Sequence, residues 1–174
     1  MAQIKNNLKP QDIVILLKII AMGKKDWFHH TLAQELGMSQ SEVTQSLNRS
    51  KYAGLIDNER KKVNRIAFSE FILHGLSYAF PQQPGALVRG VLNAHAAEPL
   101  NQLIHSSEKY VWPYAKGTDR GQAIEPMYNT AVEASLKDHD LYELLTLVDA
   151  IRVGKAREKE LAKKELEKRI LNVQ

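Results

Sequence analysis

Residues 31–57 read TLAQELGMSQSEVTQSLNRSKYAGLID, and residues 58–68 continue as NERKKVNRIAF. Leu32, Ala33 and Leu36 share one face of a short helix that starts near Thr31 or the histidine before it. Gly37 stands where such a helix ends in a left-handed residue. Ser39 and Glu42 have Ser-x-x-Glu spacing, the signature of a capped helix start. In that second helix Val43 and Leu47 lie four apart and face inward, Tyr52 or Ala53 continues the face, and Gly54 closes it. Ala33 is small where the second helix crosses the first. Gln40, Ser41, Thr44, Gln45, Asn48 and Arg49 then fall on the outer side, short hydrogen-bonding residues and one cation. Leu55-Ile56 reads as the start of a strand and Val63 to Phe68 as its return, with Ile66 and Phe68 on one face. Between them Asp57 to Lys62 is a polar turn.

Upstream, Pro10 to Met22 is expected to form a helix that Pro10 and Asp12 begin and Gly23 ends. Apolar residues nearly encircle it, which places it in the core. Asp26-Trp27-Phe28 is expected as a minimal strand. Downstream, Ser69 precedes Phe71, Ile72, Leu76 and Phe80 as the cap of a helix ended by Pro81. Residues 81–136 carry a weaker pattern. Val88 to Leu100 is expected to be partly helical, and Tyr110 to Tyr114 with Arg120 to Ile124 to form a hairpin around Lys116-Gly117-Thr118-Asp119. Pro113 points to an edge position. Asp140 to about Ile170 reads as helix interrupted at Gly154, with Leu141, Leu144, Leu145, Val148 and Ile151 as an apolar stripe.

Composition excludes several classes. The chain has 174 residues, 44% hydrophobic and 25% charged, which is neither disordered nor low-complexity composition. Its longest apolar run, Ile13 to Met22, is broken by Lys18 and falls short of the roughly 20 residues of a membrane span. The opening residues lack signal-peptide form, so a cytoplasmic location is expected. The absence of cysteine removes disulfides, thiolate nucleophiles and cysteine-ligated metal centres. The net charge of +4 lies entirely in residues 1–80, where eleven Lys and Arg face seven Asp and Glu. That asymmetry points to a polyanionic partner for the first part of the chain.

The stretch from Thr31 to Phe68 resembles the winged helix-turn-helix of bacterial transcription regulators, most nearly the MarR-like type, over about residues 10–80. The resemblance implies a mainly α fold with small β elements. A winged DNA-binding domain would span residues 1–80 and a C-terminal α+β region residues 81–174, ending in a long helix. It further implies a recognition helix presenting Ser39, Gln40, Ser41, Thr44, Gln45, Asn48 and the flank of Arg49 to the major groove, whose base edges display donors and acceptors, with Arg49 and Lys51 at its end positioned on phosphates. Arg60, Lys61, Lys62 and Arg65 would carry the wing along phosphates or into the minor groove. MarR proteins place a long dimerisation helix before this motif, whereas nine residues precede Pro10 here, so their dimer is not carried over.

The expected function is a sequence-specific regulator, a repressor, bound to double-stranded DNA. The stripe from Leu141 to Ile151 is expected to make a homodimer; packing on the hairpin around Trp112 is the alternative. The rival function is an interaction module, an antitoxin-like subunit whose C-terminal half holds another protein and whose winged motif regulates its own operon. Neither enzymatic chemistry nor a cofactor is expected. His29 and His30 are adjacent and diverge, His74, His95, His105 and His139 are scattered, and Glu98, Glu108, Asp119 and Glu125 show no pairing, so no metal site is expected. Tyr110, Trp112 and Tyr114 suit either a ligand pocket or the core of a small β unit.

Overall fold

A proline and an aspartate begin the first helix. The structure, a computed structural model, describes residues 6–172. Helix α1 (Pro10–Met22) has Pro10 in its first turn, where an absent N–H costs nothing, and Asp12 accepts the amide of Lys9 at 2.8 Å. From Asp12 to Ile20 every residue is buried, so α1 is the central rod of the molecule. Gly23, with φ of 63°, ends it. Asp26, Trp27 and Phe28 form no strand; Trp27 is buried and the chain passes straight into α2 (His29–Leu36).

Gly37 is left-handed as expected, and the amide of Met38 reaches back to the Ala33 carbonyl at 2.9 Å. Helix α3 (Gln40–Tyr52) follows, with the Ser39 hydroxyl accepting the Glu42 amide at 3.0 Å. Val43 and Leu47 are fully buried, the two anchors the periodicity requires.

The chain after Gly54 departs from expectation. Leu55 and Ile56 are buried, but the strand pair reduces to a single bridge, Ile56 to Val63. Instead of a return strand to Phe68, helix α4 (Arg65–His74) begins at once, with Asn64 capping the Ala67 amide. Phe68, Ile72 and Leu76 bury at four-residue intervals. Helical period therefore overrides the alternation of Ile66 and Phe68, and Ile66 is exposed. Ser69 is no cap; it is buried in the second turn of α4. A short helix α5 (Leu76–Ala79) ends before Pro81.

The middle segment forms a three-stranded barrel of β1 (Leu87–Asn93), β2 (Tyr110–Pro113) and β3 (Asp119–Ala123). One expectation holds only in part here and another fails. Val88 to Asn93 is strand, and helix in the 88–100 stretch is confined to short 3-10 turns at Ala94–Ala96 and from Leu100. The 110–124 segment is not a hairpin, because β2 and β3 run parallel and β1 lies antiparallel to both. The first half of β1 pairs with β3 and the second half with β2, and Gly90 is the crossover. A Cβ at Gly90 would lie 1.9 Å from the Trp112 carbonyl, so the close approach requires glycine there.

Three helices complete the chain: α6 (Ala131–Leu136), α7 (His139–Val153) and α8 (Ala156–Leu171). Helix α7 is buried almost throughout. Leu141, Leu144, Leu145, Val148 and Ile151 are each 3% exposed or less, so the stripe is sealed within one chain. This corrects its assignment to a homodimer. Helix α8 covers it in part, burying Ala162, Leu166 and Ile170 at four-residue spacing. The molecule is thus mixed α/β, with eight α-helices and one small sheet among the described residues. One hydrophobic cluster runs from Ile13 through Trp112 to Ile170, so the expected boundary at residue 80 leaves no break in the core. No helix among the described residues is long and apolar enough to cross a membrane.

Polar groups pin this core at three places. Asp12, wholly buried, accepts from Ser46 Oγ at 2.6 Å and from Arg49 Nε and Nη2 at 2.9 and 2.7 Å. Lys18 bridges Glu35 and Asp138 at 2.7 and 2.5 Å, tying α1 to α2 and to the start of α7. Burial opposes the Lys18 charge, but those two carboxylates outweigh it and raise the ammonium pKa. Asp149 accepts from Trp112 Nε1 at 2.7 Å and Asn93 Nδ2 at 2.9 Å, and pairs with Arg152, joining the barrel to α7. Trp112 and Tyr110 are therefore core, 1% and 5% exposed. Removing one member of a buried pair leaves the other charge stranded. Asp12→Ala is expected to cost about 3 kcal/mol in urea unfolding, the lower end for a broken buried pair because Glu42 still contacts Arg49. Adding Arg49→Met should recover most of that loss; a cost below about 1 kcal/mol for the single variant would deny Asp12 this role.

Candidate nucleic-acid interface

The outer face of α3 is set by what its inner face does. Val43 and Leu47 bury among apolar side chains while Ser46 and Arg49 reach Asp12, so the helix cannot rotate about its axis without stranding a charge. Gln40, Ser41, Gln45, Asn48 and Lys51 remain exposed, and Thr44 is half-buried. Ser39 is exposed, with its hydroxyl occupied as the cap.

Arg49 differs from expectation. It is 5% exposed, and its guanidinium is divided between Asp12 and Glu42, at 2.7 and 2.9 Å. Hydrogen bonding to Asp12 raises its pKa. Burial works against the Glu42 charge, yet hydrogen bonds from Gln11 and Arg49 keep that carboxyl below the usual range. Arg49 thus holds α3 onto α1 from inside. Arg65 is also engaged elsewhere, donating to the Ile170 carbonyl at 2.8 Å and joining α4 to the end of α8.

The turn between Ile56 and Val63 closes on Asp57. Its Oδ1 accepts the amides of Lys61 and Lys62 at 2.7 and 3.1 Å, and its amide donates to the Lys62 carbonyl. Arg60 takes a left-handed φ of 58°. Its guanidinium donates to Asn48 Oδ1 at 2.8 Å, bringing the turn beside the exposed face of α3. Lys61 lies 4.7 Å from the Trp27 ring centroid and 5.7 Å from that of Phe28. Lys62 is exposed.

Residues 27–30 play a part that helix and strand spacing do not predict. Phe28 is 60% exposed and stacks on His30 with ring centroids 5.6 Å apart. His29 Nδ1 meets Thr44 Oγ1 at 3.1 Å, which links the start of α2 to the outer edge of α3. The two adjacent aromatics followed by two histidines were the available signal. A cleft of 690 Å³ runs from the end of α1 to the turn, lined by Lys24, Lys25, Trp27, Phe28, Lys61 and Lys62 among others. The structure therefore gathers α3, the turn and this aromatic–basic segment on one side. It also brings Glu98 to His139 and Glu143, which lie four apart on α7.

Compared with known proteins, the chain matches no family model, no curated protein and no solved structure.

Burial, and then the charges of Arg60 and Lys61, lower the pKa of His29 from its usual 6.5. Removing either cation makes protonation less costly. The His29 midpoint followed by NMR is expected to rise in Lys61→Ala and in Arg60→Ala. A midpoint unmoved in both would show that the turn does not sit against α2 and α3 in solution.

Proposed function

We propose that the chain is a cytoplasmic, sequence-specific regulator that binds double-stranded DNA and acts as a repressor, in the manner of MarR-like winged helix proteins. The observation that carries this reading is the 2.8 Å contact between Arg60 and Asn48, which joins a basic turn to an exposed, hydrogen-bonding helix face. Helix α3 would enter the major groove. Gln40, Ser41, Thr44, Gln45 and Asn48 have the donors and acceptors that base edges require there. Lys51, Lys61 and Lys62 would meet the flanking phosphates, with Arg60 holding the turn against the helix. Three residues from the expected set are absent from this interface: Ser39 caps α3, Arg49 supports α3 from within, and Arg65 anchors α8.

Supporting the reading further, the positive excess of the chain lies in residues 1–80, and the cleft beside the turn extends the cationic surface through Lys24 and Lys25. The buried stripe of α7 leaves no dimer contact to assign there.

Phosphate and base contacts separate by their response to salt and sequence. Lys61→Ala with Lys62→Ala should weaken binding to all duplexes about equally and lower the salt slope by roughly one unit per lost phosphate contact. Gln45→Ala should instead relax preference at particular bases, by about 1–3 kcal/mol, and leave nonspecific binding nearly intact. Electrophoretic shift titrations over a salt series measure both. An unchanged slope in the double lysine variant would remove the turn from the interface.

A further inference from the structure

At the start of α7, three Lewis-basic side chains converge from two parts of the chain. His139 is the first residue of α7, and Glu143 lies one turn further along the same face. Glu98 comes from the segment after β1. Nε2 of His139 stands 3.4 Å from Glu143 Oε1 and 3.7 Å from Glu98 Oε2, and all three donor atoms fall within 4.8 Å of one another.

These separations are informative. The 3.7 Å gap is too wide for an N–H···O hydrogen bond, which spans roughly 2.7–3.2 Å. With metal–ligand bonds of about 2.1 Å, the edge of a coordination tetrahedron is about 3.4 Å. One measured edge equals that value and the second is slightly open. A rotamer adjustment of exposed Glu98 closes the difference. The donor set, one imidazole and two carboxylates, suits zinc and its neighbours; magnesium and calcium prefer oxygen alone.

The surroundings orient the donors. Arg169 Nη2 takes Glu143 Oε2 at 3.2 Å, leaving Oε1 turned to His139, as an outer partner of a carboxylate ligand does. The Glu98 carbonyl accepts from Thr146 Oγ1 at 3.1 Å, which ties the Glu98 backbone to α7 one turn beyond Glu143. Asp138, next to His139, is held by Lys18 and caps the Leu141 amide. Two carboxylates brought this close repel each other, and a divalent cation between them removes that cost.

We propose that Glu98, His139 and Glu143 bind one divalent transition-metal ion of the zinc class, with the fourth position open to water or to a Lewis base from outside. The ion cross-links the segment around Glu98 to the first turn of α7. None of its three donors belongs to α3 or to the basic turn, so the proposal does not rest on DNA binding.

Calorimetric titration of zinc chloride into the full chain near neutral pH tests it. One equivalent is expected to bind, competed by cobalt(II) with tetrahedral d–d absorption and indifferent to excess magnesium. His139→Ala and Glu98→Gln, both at exposed positions, should each weaken binding by more than about tenfold, since losing even an outer partner costs that much. Their unchanged thermal unfolding without metal would show the fold intact. Affinity should fall on acidification, because the imidazole must be neutral to bind. Zinc bound equally well by His139→Ala would assign the ion to His29, His30, His74, His95 or His105 and overturn the proposal. So would the absence of binding, or competition by magnesium at similar concentration.

Discussion

The Asp12 carboxylate, sealed from water in the first turn of α1, is the group on which the placement of α3 depends. A buried charge is costly unless it is paired and hydrogen-bonded. Asp12 meets that demand only when α3 lies across α1 with Ser46 and Arg49 facing it, while its own Lys9 amide supplies a local donor. Rotating α3 by one residue, about 100°, would carry those donors away. An apolar contact through Val43 and Leu47 alone tolerates such slippage far better than a bidentate guanidinium does. The net stability of such a pair is small, since an apolar replacement of similar volume is often neutral. Its effect here is register: it decides which residues of α3 remain outside.

The same device recurs through the rest of the molecule. Asp149 gathers Trp112, Asn93 and Arg152, so the barrel can dock on α7 in one orientation. Arg152 in turn donates to the Phe80 carbonyl at 2.9 Å, tying the end of α5 into the same knot. Lys18 spans α1, α2 and Asp138 before α7. With these links the α7 stripe is committed to the interior, and the two parts of the chain share one core. The side of the molecule that holds α3 and the basic turn is then fixed to that core through Asp12, as the proposed reading of base edges would require.

What the sequence made legible is what local chemistry determines. The helices on either side of Gly37, the Ser39 cap, the inward Val43 and Leu47, and the break at Gly154 all follow from spacings of six residues or fewer. Arg49 escaped because its partner Asp12 lies 37 residues away, and helical spacing alone places it on the flank of the outer face. The return strand was misread because Ile66 and Phe68 alternate, while Phe68, Ile72 and Leu76 repeat with helical period, and the longer pattern won. β1 gave no clear signal because its two halves serve different partners and Gly90 interrupts its side chains. Periodicity marked the α7 stripe as buried but carried no information on whether α8 or a second copy would cover it. Glu98 and His139 stand 41 positions apart in sequence, beyond any spacing rule. Non-local pairing accounts for Arg49, the barrel and the Glu98 cluster, whereas the return strand was lost to a competition between two local periods.

Selection from a random duplex library by the purified full chain tests the central claim most directly, because it asks whether the exposed face of α3 reads sequence. The account predicts enrichment of a short motif over successive rounds, bound far more tightly than a scrambled duplex at the same salt concentration. Enrichment of no motif, with every duplex bound equally or none bound at all, would contradict it.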